Sequence, residues 1–237
     1  MRFAYELPLW WPRTLLELSR TWHSPGFDAL LLLRWSLQSL AISLLIFLAD
    51  YLLGTALLRL LDRRFPLRMP VTLRFALSLA LGHGVGGLLV FLLGLAHLLT
   101  PWMVTTVLVC SGLAGALLLW RQHALAWAAQ PFRGWQVTPL ALALLVLFLP
   151  ALILLQLDLL MPVIEGDSML YHMASARWYA EHHSLAYHPG IRFNAQPQQT
   201  VLLYLRHWLV TGEETHVKLL NWEYLAMLAA TLLGGAR

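Results

Sequence analysis

Charge is what this chain has least of: only 12% of its 237 residues are Asp, Glu, Lys or Arg, and Phe75 to Trp120 contains none. A water-soluble domain cannot bury that much uncharged sequence. With 59% hydrophobic residues and a positive mean hydropathy, the chain reads as an integral membrane protein. Lysine is nearly absent as well, since fifteen of the 16 basic residues are arginine. The formal net charge of +4 sits beside apolar segments, where it reports topology. No soluble basic face is present to meet a nucleic acid. The lone cysteine, Cys110, lies inside an apolar run, so disulfides say nothing about compartment. The N-terminus lacks the short basic-then-apolar pattern of a cleaved signal peptide, because Trp10, Trp11, Pro12 and Trp22 interrupt it; none is expected. There is no internal repeat, heptad run or low-complexity tract.

What is present is a series of apolar segments. A first span is predicted over about Trp35 to Leu58, interrupted by Asp50, a second over about Phe75 to Leu99, and a third from Trp102 to Trp120 behind Pro101. A fourth is predicted over Thr138 to Leu157, kinked at Pro150, and a fifth begins near Val217. The expected fold is all-α: a polytopic integral membrane helix bundle with a partly helical outward loop. Its expected parts are an N-terminal interfacial segment 1–34, a four-span module 35–157, the loop 158–216 and the start of a fifth span 217–237.

Basic residues in short loops stay on the cytoplasmic side. Arg59, Arg63, Arg64, Arg68 and Arg74 follow the first span and Arg121 and Arg133 follow the third, whereas the His97 to Trp102 turn has no charge. Asp158 to Lys218 is therefore expected to face outward, to the periplasm or exterior of an inner (plasma) membrane. That stretch holds six of the ten histidines together with Glu165, Asp167, Glu181, Glu213 and Glu214. Asp167 suits the N-cap of a helix running to about His183, and Pro197 the first turn of a second helix to about Val210, stopped at Gly212. The first of these helices is expected to lie on the membrane surface or the bundle.

The run Glu165-Gly-Asp167-Ser-Met-Leu-Tyr171-His172, then Ala174, Ala176 and Trp178-Tyr179, then Tyr187-His188-Pro189 and Pro197-Gln198, resembles the first outward loop of GT-C type membrane glycosyltransferases. The similarity is to the bacterial branch related to protein O-mannosyltransferases and the lipid A aminoarabinose transferases, and it covers about Pro162 to Glu223. It implies a transferase that moves a sugar from a polyprenyl-phosphate donor to a glycan, lipid or protein acceptor, with the lipid bilayer as its setting and no nucleic acid involved. Family members carry this loop after their first span and continue to eight or more. Three extra spans precede it here, so the resemblance implies the front part of a longer enzyme.

Because the leaving lipid phosphate is a stable anion, the chemistry such an enzyme supplies is removal of the acceptor's proton. The resemblance assigns that base to Asp167. Glu165 is the candidate to orient the acceptor or to share a divalent metal ion as cofactor. His172 is a candidate donor to the phosphate, and Arg177 or Arg192 a candidate counter-charge. Tyr171 joins these substrate-facing residues, although for it, Trp178 and Tyr179 the interfacial aromatic belt is the stronger role.

Two other features compete. Asp50, ionisable inside a span, is by default a functional residue and points to a transporter or channel subunit; Arg59 lies too far along the helix to pair with it. His83, in Gly82-His83-Gly84-Val85-Gly86-Gly87, sits in a small-residue face that serves close helix packing, and the glycines lie in a span where no nucleotide fingerprint belongs. No HExxH or two-His-one-carboxylate spacing occurs, and the adjacent His182 and His183 point to different sides of a helix, which weighs against a zinc hydrolase. A non-catalytic membrane scaffold is the remaining alternative.

Overall fold

The structure, a computed structural model, describes residues 29–66, 69–130, 146, 172–187, 199–212, 217 and 219–235. All of the predicted fourth span but Val146, most of the N-terminal segment, and Glu165, Asp167, Tyr171 and Arg192 lie outside the described residues. The helices are α1 (Ala29–Arg64), α2 (Val71–Leu95), α3 (Pro101–Arg121), α4 (Leu125–Ala128), α5 (Met173–His182), α6 (Gln199–Thr211) and α7 (Leu220–Gly235). No strand occurs among the described residues, so the protein is the all-helical membrane bundle expected. The chain divides at Ser39 into two compact units, and everything below concerns the second, Leu40–Arg237.

Among the described residues, three helices are long and apolar enough to cross a bilayer: Leu40–Arg64, Val71–Leu95 and Pro101–Arg121, with mean hydropathies of 2.0 to 2.1. At 1.5 Å per residue the shortest rises about 32 Å, enough for a hydrocarbon core of about 30 Å. Pro101 at the first position of α3 starts that helix without wasting a donor.

Three helices stop in the same way. His97, His123 and His183 each adopt the left-handed conformation, with φ of 58°, 51° and 52°. Each donates its N–H three residues back, to Gly94, Trp120 and Ala180. The residue after each donates five back, to Leu93, Leu119 and Tyr179. This is the Schellman closure, which normally recruits glycine at that position.

α1 approaches α2 and α3 at backbone distance. A Cβ at Gly54 would collide with the Ser78 carbonyl, one at Gly82 with the Asp50 backbone, and one at Gly115 with the Leu53 backbone. In lipid, where burial of apolar surface gives no drive between helices, such small-residue faces let van der Waals contact hold the bundle.

The two ends of the bundle differ. At one, Arg59 and Arg74 lie over the Trp127 ring at 5.4 and 5.2 Å from its centroid. Arg63 donates to the Gln122 carbonyl at 3.2 Å, and Tyr51 to the Ala128 carbonyl at 2.6 Å, so α4 closes this end. At the other end α5 is stitched to the α2–α3 turn: Leu99 N–H donates to His183 O at 3.1 Å and the His183 Nδ1–H to Leu99 O at 2.9 Å. There Val90, Leu99 and Val104 meet Ala176 and Tyr179 of α5 and Val201, Leu205 and Leu209 of α6 in one core. The loop helices thus dock at the end away from the arginines. α6 is buried almost all round, its Arg206 and His207 included.

Candidate functional site

Asp50 interrupts α1 close to the middle of its span, and His83 sits close to the middle of α2. A carboxylate there is expensive unless paired. Its partner comes from the loop: Arg206 of α6 donates Nη1–H to Asp50 Oδ1 at 2.9 Å and Nη2–H to Oδ2 at 2.6 Å, a two-pronged pair with both residues only 2% exposed. His83 lies between two carboxylates, with Nδ1 2.8 Å from Asp50 Oδ2 and Nε2 2.7 Å from Glu223 Oε2. Glu223, on α7, also faces His207 of α6, whose Nε2 is 3.5 Å from Oε1. His207 Nδ1–H in turn donates to the Leu203 carbonyl at 2.9 Å. Four helices therefore meet in one buried cluster of Asp50, His83, Arg206, His207 and Glu223.

The glycine run around His83 has a local reason. Gly82 admits the α1 backbone beside Asp50. One turn later Gly86 leaves room for the Arg206 guanidinium, and Gly87 for the Gln199 amide. His83 therefore does more than pack, since the small residues around it shape a charged site. Glu223 also borders an apolar cavity of about 350 Å³ lined by Leu40, Ser43, Phe47 and Trp222.

Asp50, His83 and Glu223 bring ligand-type atoms within 4.8 Å of one another, the spacing of a metal site. Two observations weigh against a metal. Arg206 engages both Asp50 oxygens, so the cluster already holds a cation of its own, and both His83 nitrogens lie against carboxylates. Among the described residues the other histidines do not assemble a metal centre: His182 stacks on Trp178 with ring centroids 3.5 Å apart, while His97, His123 and His183 close helices.

Of the substrate-facing candidates, two are described. His172 is half-buried at the start of α5, edge-on to Tyr204 with centroids 6.2 Å apart. Arg177 lies on the outer part of α5, its Nε 3.5 Å from Glu181 Oε1 and its guanidinium 5.8 Å from the centre of the Trp208 ring. An exposed pair of this kind contributes little to stability. Tyr179, beneath them, is buried, and burial pushes its phenol above the ordinary value. Arg59 pairs with Asp62 at 2.8 Å, consistent with its being out of reach of Asp50.

Arg206, His207 and Glu223 were not singled out from the residues alone. The signal was present: a carboxylate within a span demands a cation, and Arg206 is the charged residue of a Leu-rich helix. Its distance from Asp50 in the sequence hid the match. Fold and site together define a polytopic, all-helical membrane protein with a charged cluster at the depth of its spans. No protein-family model, curated protein or solved structure matches the chain.

Proposed function

We propose that this protein is a membrane glycosyltransferase that uses a polyprenyl-phosphate sugar and works on the outer face of the plasma membrane. The observation that carries the reading is the run Glu165-Gly-Asp167-Ser-Met-Leu-Tyr171-His172, which leads directly into α5, a helix pinned to the bundle at the end away from the arginines. A short acidic segment joined to a rigid docked helix is a means of presenting a base at an interface. In the proposed step the acceptor hydroxyl or amine loses its proton to Asp167. The acceptor atom bonds to the sugar's anomeric carbon, and the bond from that carbon to the phosphate oxygen breaks. The lipid phosphate leaves as an anion, with Arg177 and His172 as its neighbours along α5.

Asp167→Asn keeps the side chain's size and much of its capping ability but removes the base. Glycan transfer in cells carrying it is expected to fall on the order of 10²-fold or more, the usual contribution of a positioned base. Unchanged transfer would end this proposal.

A second reading, a transporter or channel subunit, is favoured by the Asp50, His83, Arg206 and Glu223 cluster, because ionisable groups at this depth often line ion paths. Loss of flux in Asp50→Asn with transfer intact would favour it.

A further inference from the structure

A neutral imidazole has one N–H and one lone pair. In His83 both nitrogens lie within hydrogen-bonding distance of carboxylate oxygens, Nδ1 at 2.8 Å from Asp50 and Nε2 at 2.7 Å from Glu223. Against an ionised carboxylate, a bare nitrogen at either place would set two acceptors against each other in a buried site. That arrangement costs as much as an unsatisfied buried group.

We infer that the cluster is an intramembrane proton-binding site, in which His83 is held as an imidazolium bridging Asp50 and Glu223 and thereby fastens α7 to the first two spans. The charges support the same assignment. Asp50 is matched by Arg206, which engages both its oxygens. Glu223 is then left without a cation unless His83 carries a proton. With the proton the four groups sum to zero; without it a net negative charge stays buried.

The groups facing His83 are Asp50 from α1, Arg206 and His207 from α6, and Glu223 and Tyr224 from α7, the last with its ring edge-on at 6.1 Å between centroids. From Pro101 to Trp120, α3 contributes no charged residue. His207 is the weaker home for the proton. Its Nδ1–H is committed to the Leu203 carbonyl, and its Nε2 stands 3.5 Å from Glu223, beyond a strong hydrogen bond.

The site does not depend on glycosyl transfer, and its test is spectroscopic. The full chain, labelled with 15N-histidine and 13C-carboxyl Asp and Glu and placed in lipid bilayers at pH 7.5, is measured by solid-state NMR. One histidine should show both ring nitrogens protonated, with dipolar couplings to an Asp and a Glu carboxyl carbon. A bare nitrogen on the ring bearing those couplings overturns the inference, wherever the proton has gone. In Glu223→Gln the same ring should carry a single N–H at that pH; a ring still doubly protonated there would equally overturn it. The unsubstituted protein decides the matter alone if the variant does not fold.

Discussion

At the scale of single residues, the pair of Asp50 and Arg206 dominates. Both are buried and each engages the other through two hydrogen bonds. Removing one partner of such a pair leaves an uncompensated charge at a cost of about 3–5 kcal/mol, whereas removing both costs far less. Arg206→Gln is therefore expected to lower the unfolding free energy in detergent by that order, and Asp50→Asn combined with Arg206→Gln to recover much of the loss. If the double variant were as unstable as the sum of the singles, the two residues would not be acting as a pair. Asp50 and His83 were both conspicuous in the sequence, as a charge in an apolar run and a histidine among glycines. What they touch was not legible, because Arg206 lies 156 positions from Asp50 and no local pattern joins them.

At the scale of elements, the predicted boundaries hold where local chemistry sets them. Pro101 opens α3, α6 runs from Gln199 to Thr211, and Gly212 ends it with φ of 80°. Three stops fall on histidine: His97, His123 and His183 take the left-handed position that glycine fills at lowest cost, the first in the expected His97 to Trp102 turn and the last at the expected end of the α5 helix, while the stop at His123 carried no glycine to announce it. His123 is exposed, and its conformational strain is not offset by a side-chain bond of the kind His183 makes to Leu99. His123→Gly is accordingly expected to keep or raise stability by up to about 1 kcal/mol, read as thermal unfolding in detergent. A loss of several kcal/mol would show that the ring itself holds α3 and α4. The glycines tell the opposite story: small residues in α2 announced close packing, but which glycine meets which helix depended on how α1 crosses it.

At the scale of the whole molecule, leucines such as Leu44, Leu45, Leu88 and Leu113 remain exposed on the outside of the bundle, where a bilayer covers them. Cys110, the only cysteine, is exposed on α3 about 14 Å along the helix from Pro101. A nitroxide attached there should collide more often with oxygen than with a water-soluble nickel chelate, as expected of a site within the hydrocarbon. The reverse preference would place α3 beside water and contradict the span. The bundle is also polar in an architectural sense, with an arginine and tryptophan end around α4 and a loop-helix end around α5. Loop charges in the sequence implied that separation, since short connections carry the positive-inside signal independently of how the helices pack.

The sequence by itself determined that the chain is helical, that it belongs in a membrane, and which three segments span it, with the first two displaced by four to six residues from the expected bounds. Hydropathy, proline position and loop charge are properties of short segments, and lipid forces every spanning segment to satisfy its own backbone. Only the tertiary structure decided what the buried charges do. Asp50, His83, Arg206 and Glu223 come from four helices, and none is neutralised within its own segment. Their pairing follows from glycine-permitted contacts between helices, which exist only once the bundle has formed.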